Sequence, residues 1–288
     1  MTLKSRPVSP IVPDKQSLDS LMKTIRIPAR PSILVEMQKE LNKDEPDSRA
    51  LARIIANDVA MAASLMKLTN SSFFGLRLKA QSIAHAVDLL GMNQTTLLMT
   101  GIIVRQTLDV KAKMLRNFWD VSSKRAHALS TMVRRVPVCS PDVAHTFGLF
   151  CDIGVPILTE RFPSYQETWK KANASPDVAL TQVEESAHMT HHASIGALLA
   201  RTWGLPEQVS TAILLHHDYA TLDDLATDNS VRGLIALTSV AELAIQKFEG
   251  KESSTEWRKA EVQVCQYLGI DADEVEDWCE ELQEIFNS

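Results

Sequence analysis

Along most of this chain apolar residues return every three or four positions, the repeat of a helix that buries one face. "PSILVEMQKELN" begins such a stretch, with Pro31 at a first helical position, where a missing amide hydrogen costs nothing. "DSRALARIIAND" follows and sets Leu51, Ile54 and Ile55 on one face. In "DVAMAASLMKLTNSSFFG", Asp58 is suited to cap the helix start, and Val59, Ala62, Ala63 and Met66 are the expected apolar stripe. Asn70, Ser71, Ser72 and Gly75 then read as a turn. "SIAHAVDLLGMNQTTLLMTGIIVRQ" predicts two helices broken near Gly91, with Asn93 as a cap for the second. A long helix is expected over 111–135, punctuated by Pro137 and Pro141, and the next runs into Cys151. Further helices fit 164–173, 177–188, 192–203, 206–218, 231–249, 255–268 and 271–286. In "GLPEQ", Gly204 stops one helix and Pro206 starts the next. No segment alternates convincingly as a strand, and neither heptads nor an internal repeat is sustained. The pattern predicts an all-α fold.

Composition sharpens this picture. Only 10 of 288 residues are glycine and 3 are tyrosine, which favours helix over sheet. Hydrophobic residues make up 45% and charged ones 23%, enough for a sizeable core. The net charge of −6 disfavours a general nucleic-acid or anionic-membrane surface, leaving only a local basic patch open. The cysteines at 139, 151, 265 and 279 form no C-x-x-C pair and read as reduced thiols of a cytoplasmic protein. Residues 1–14, with Pro7, Pro10 and Pro13, are expected to be an extended arm, and they lack the apolar run of a signal peptide. "LLMTGIIV" at 97–104 is too short to span a bilayer and fits a buried helix. No membrane and no general nucleic-acid partner is expected.

The candidate chemistry lies in histidines. His191 and His192 open "HHASIGALLARTWGLP", and His216 and His217 close "AILLHHDY". With Asp152 these supply imidazole and carboxylate, which suit a divalent transition metal such as Zn, Mn or Fe. An ion so held could ionise a bound water and polarise a phosphoryl group. Spacing alone favours the plainer alternative at this point. Histidines at helix ends cap carbonyls, Asp152 beside Gly154 can be turn chemistry, and Cys151 alone is commonly a buried apolar residue. The spacing contains no H-x-x-x-H or H-E-x-x-H.

At these residues the sequence resembles the HDOD domain, the output-type relative of the HD metal-dependent phosphohydrolases. "IPARPSILVEMQKEL", "LARIIANDVAMAASLMKLTNSSFFG", "SIAHAVDLLGM", "FGLFCDIGVPIL" and "HASIGALLARTWGLPEQVSTAILLHH" follow the family's order over roughly residues 24–220. The resemblance implies an HD-like helical bundle over 111–250, packed against an N-terminal helical subdomain over 15–110, with a C-terminal helical extension over 251–288. It places Cys151 where catalytic relatives carry a metal-ligand histidine, and Val155 where many carry a lysine. Asp152, His192, His216 and His217 match positions that serve one ion of a two-metal site. His127, Cys151 and Glu242 are weaker metal candidates. Asn70, Ser71 and Gly75 carry the family's turn motif, for which a structural role is expected.

Two-metal hydrolysis needs both ions, so no catalytic residue is assigned and no cofactor is required; one divalent transition metal is the group the residues could retain. The resemblance implies a bacterial signalling component acting on a protein partner. The alternative is a metal-dependent phosphohydrolase acting on a nucleotide or cyclic dinucleotide.

Overall fold

The computed structural model describes residue 25 and residues 30–71, 79–107, 116–251 and 254–287; among them the regular structure is helical throughout. The arm over 1–14 and Gly75 of the turn motif lie outside the described residues. The first helices are α1 (Ser32–Leu41), α2 (Ser48–Ala56), α3 (Val59–Thr69), α4 (Ile83–Leu90) and α5 (Met92–Thr107).

Their ends follow local chemistry. Pro31 precedes α1 in an extended conformation, at the cap instead of inside the first turn. The carboxylate of Asp47 caps α2, and that of Asp58 accepts from the amides of Ala60 and Met61 at the start of α3. The expected stripe of α3 is corrected: Met61, Leu65 and Thr69 are buried, and Val59 is 82% exposed. "VAMAASLMKLT" is apolar on nearly every side, so its periodicity does not choose a face. Met61 and Leu65 remove more surface from water than the alanines do. Gly91, at φ 80°, turns the chain directly from α4 into α5, so Asn93 lies within α5 and caps nothing. No single helix among the described residues is long and apolar enough to cross a membrane. α4 and α5 together have the composition but meet at 113°.

The chain continues through α6 (Arg116–Met132), α7 (Pro141–Phe150), α8 (Gly154–Arg161), α9 (Tyr165–Asn173), α10 (Leu180–His188), α11 (His192–Thr202) and α12 (Glu207–Leu215). A 3-10 turn (Tyr219–Asp223), α13 (Asn229–Phe248), α14 (Thr255–Leu268) and α15 (Ala272–Phe286) complete it. Gly204 takes φ 71° after α11, and Pro206 caps α12. Asp271 and Glu274 bond reciprocally across the start of α15. α6 ends earlier than expected, in a turn over 133–135. α8 and the 3-10 turn were not separated by the sequence pattern.

α1 to α4 pack on one another, and α5 carries them onto α7. α6 lies against α7 at very close range: a Cβ on Gly148 would stand 2.5 Å from Ala126 Cα. α13 is buried along most of its length and touches α6, α12, α14 and α15. α8 and α12 both pack on α11. This arrangement brings the turn at 151–153, the start of α11 and the end of α12 to one place.

Candidate metal centre

Three chain segments supply the donor atoms. Asp152 lies in the turn between α7 and α8, His192 is the first residue of α11, and His216 and His217 follow α12. Gly154 allows them to meet. A Cβ there would stand 2.0 Å from the His192 carbonyl oxygen, so any side chain would force α8 away from α11. The structure brings Asp152, His192, His216 and His217 together, with one donor atom of each within 4.8 Å of the others. Asp152 Oδ1 is 3.4 Å from His192 Nε2 and 3.3 Å from His216 Nε2. Those two nitrogens are 3.2 Å apart.

What stands behind each imidazole fixes what it presents. His192 Nδ1 is 2.7 Å from Glu184 Oε2, His216 Nδ1 is 2.7 Å from the Ile213 carbonyl oxygen, and His217 Nδ1 is 3.0 Å from Glu256 Oε2. Each acceptor takes the Nδ1 hydrogen, a tautomer assigned from the partner, and turns a bare Nε2 lone pair inward. His217 Nε2 is buried with no hydrogen-bond partner. Three lone pairs and a carboxylate oxygen converging on one point repel one another unless positive charge lies among them. These four donors, with acceptors behind the imidazoles, could hold a divalent cation. Such an ion would acidify a bound water.

The protonation preferences carry the same demand for positive charge. Burial lowers the His192 pKa, but the carboxylates of Glu184 and Asp152 outweigh it and push it up to about 10. Burial also opposes protonation of His216, which Cys151 and Asp152 nonetheless hold above the ordinary imidazole value. Glu184 accepts from the Tyr165 hydroxyl through its other oxygen. Trp169 stands edge-on to His192, with ring centroids 5.2 Å apart.

On the far side of Asp152 the positive charge is a side chain. Arg125, 1% exposed, reaches from α6 to Asp152 Oδ2 and, over 2.6 Å, to Glu242 Oε1 on α13. Its Nε donates to the Gly148 carbonyl oxygen over 3.1 Å. Burial works against its charge, yet the two carboxylates raise its pKa above the usual value. Burial likewise opposes ionisation of Asp152, but the Arg125 guanidinium holds that carboxyl well below the usual range. A cavity of about 60 Å³ lies against the imidazoles, and a second of about 240 Å³ shares Arg125, Asp152, Trp169 and Glu242 with it.

The weaker candidates separate. His127 is not with the cluster: two residues beyond Arg125, it is turned by roughly 200° around α6. It lines a different cavity of about 140 Å³ together with His145. Cys151 closes α7, fully buried with its thiol against His216, and is not one of the four converging donors. Glu242 lines the cleft, bound to Arg125. Asn70 is remote from the cluster and pairs with both backbone groups of Ala80, at 2.7 Å and 3.1 Å. The Ser71 hydroxyl donates to the Leu68 carbonyl oxygen over 2.6 Å.

Arg125, Glu184, Glu256 and Trp169 were not singled out by the sequence reading. Two of them had a signal. Arg125 stands on the buried stripe of Ser122, Ala126 and Leu129, and Glu184 stands one turn beyond buried Leu180. A charge on the apolar face of a helix implies a buried partner.

An aspartate and three imidazoles thus converge within an all-α bundle. The sequence profile of the HDOD domain matches residues 27–219, and the chain belongs to that family. A curated protein of Treponema pallidum, itself uncharacterised, is 26% identical over 238 residues, covering 78% of this chain. The chain spans only 43% of that relative's length. Among solved structures, an HDOD domain protein of unknown function from Geobacter sulfurreducens has a TM-score of 0.67 at 20% identity, covering 94% of this chain and 96% of its own. A protein of Shewanella amazonensis, named as a candidate phosphohydrolase, has a TM-score of 0.69 at 21% identity, covering 94% and 93%. One of Marinobacter aquaeolei, named as a candidate signal transduction protein, has a TM-score of 0.69 at 20% identity, covering 93% of this chain and 59% of its own.

Proposed function

We propose that this chain is a non-catalytic regulatory module of HDOD type that acts through contacts with a signalling protein and retains at most one divalent ion. The observation that carries this reading is Arg125. Two-metal hydrolysis uses both ions to clamp the attacking and leaving oxygens. Here the Asp152 oxygen that faces away from the histidines is taken by a guanidinium, which also occupies Glu242. A guanidinium has no open coordination position and generates no hydroxide. Cys151, which stands where the resemblance expects a histidine, is buried in the core. The name of the Marinobacter protein accords with a signalling role.

A second reading rests on the complete set of Asp152, His192, His216 and His217: a one-ion phosphohydrolase acting on a nucleotide or cyclic dinucleotide. The name of the Shewanella protein accords with that. The deciding experiment uses protein purified without chelators. Its metal content is measured, and a cyclic dinucleotide and bis(p-nitrophenyl) phosphate are offered with Mn²⁺ or Fe²⁺. The regulatory reading expects no turnover, from the natural chain or from Cys151→His. Robust metal-dependent hydrolysis that disappears in Asp152→Ala would establish the second reading in its place.

A further inference from the structure

The family match ends at residue 219, yet one of the three acceptors behind the imidazoles lies beyond it. Glu256 is on the first turn of α14, and its Oε2 faces both His217 Nδ1 and the Tyr219 hydroxyl at 3.0 Å. Its Oε1 accepts from Lys259 Nζ over 2.6 Å, and the same ammonium donates to the Val178 carbonyl oxygen over 2.8 Å. Val178 precedes α10, the helix that carries Glu184.

α14 joins apolar packing to a polar contact at its first turn. Ala260 and Val264 are fully buried on it, Trp257, Cys265, Tyr267 and Leu268 pack partly buried against the core, and its contacts run to α13 and the 3-10 turn. Its first turn is held by Trp257 against the core and by the polar contacts of Glu256 and Lys259. The counterpart of that contact is His217, whose Nε2 is buried, unpartnered and turned to the other donors.

We propose that Glu256 is a positioning residue through which α14 acts as a coupled cover of the donor cluster: occupation of the cluster by a divalent ion and docking of α14 favour one another. Glu256 acts through His217 and touches no ion. It holds the Nδ1 hydrogen, keeps Nε2 bare, and strengthens the lone pair that an ion would share. The extra free energy that docking of α14 gains from an occupied cluster equals the extra that ion binding gains from a docked α14. A partner that draws α14 away would thereby release the ion, and loss of the ion would loosen α14. The proposal rests on the ion-holding reading of the cluster and not on the absence of catalysis.

The experiment titrates the full chain, stripped of metal, with Zn²⁺ and separately with Mn²⁺ in a calorimeter, and compares Glu256→Gln. It also follows amide hydrogen exchange over residues 254–268 of the unmutated chain with and without the ion. We expect Glu256→Gln to weaken ion binding by about 10- to 100-fold, the usual consequence of losing such an outer partner. Exchange over α14 should slow in the ion-bound chain by a comparable factor wherever it proceeds by undocking. Glu256→Asp should recover part of the affinity, which a purely structural role would not predict. Ion binding that is unchanged in Glu256→Gln, with α14 exchange indifferent to the ion, would overturn the coupling and leave the ion-holding reading intact. A natural chain that binds neither ion would overturn both. The exchange measurement needs no substitution, so it decides the question even if Glu256→Gln fails to fold.

Discussion

Asp152 has one oxygen among imidazoles and the other on a guanidinium, and the two neighbourhoods treat buried charge differently. On the imidazole side the positive charge is exchangeable: each Nδ1 is committed to an acceptor and the Nε2 atoms converge, so a proton or an ion can serve. On the guanidinium side it is covalently fixed, and Arg125 bonds Asp152 and Glu242 at once. A site with one exchangeable and one permanent cation balances its carboxylates with a single replaceable charge.

The largest effect should come from breaking the fixed side. Arg125→Met leaves two carboxylates facing each other without a cation, and losing one partner of a buried ion network costs about 3–5 kcal/mol. Asp152 and Glu242 are 16% and 29% exposed at their side chains, which puts the expectation at the low end. Denaturant unfolding measures it. Added Mn²⁺ should restore part of the loss, since an ion can neutralise the same carboxylates. A variant as stable as the natural chain would show that the guanidinium does not balance them.

The exchangeable side is tested by ligand linkage. Zn²⁺ at about a hundred times its dissociation constant should stabilise the fold by about 2.7 kcal/mol, and a chelator should reverse this. His192→Ala should abolish the shift. Equal stabilisation of both proteins would place the ion elsewhere.

A buried histidine away from the cleft gives the smallest effect and sharpens the contrast. Burial and the neighbouring His127 lower the His145 pKa to about 3, whereas carboxylates raise that of His192. His145 is therefore neutral when folded and protonates more readily when unfolded. The stability it contributes is present above the unfolded pKa and is lost as pH falls from about 6.5 towards 3. Between about pH 7 and about pH 5.5 the loss from this group is about 1 kcal/mol. His145→Gln should flatten that part of the stability profile by about this amount.

The sequence conveyed the helices and the converging set better than it conveyed the charges around them. The helices from α9 onward fall close to the predicted ranges, and several have strong end signals, such as Gly204 with Pro206 or the box at Asp271 and Glu274. α3 misled because a segment apolar all round has no periodicity to choose its face. Asp152 and the histidines were legible through motif resemblance, since their order along the chain is retained. Arg125 meets Asp152 across 27 residues, and Glu256 meets His217 across 39, and no local pattern joins them. An isolated Arg or Glu is by default a surface residue. Only the packing of α6 against α7, and of α14 against the 3-10 turn, shows that these two are not.

Trp169 gives the cleft an optical property of its own. Its indole meets the His192 ring edge-on at 5.2 Å, so a guest among the imidazoles would sit within a few atoms of a natural fluorophore. Mn²⁺ has unpaired electrons and Zn²⁺ has none, and only the former offers an excited indole an efficient route to lose its energy. Trp169 is one of five tryptophans, so Mn²⁺ held there would dim its share of the emission and Zn²⁺ would not, with no dye attached.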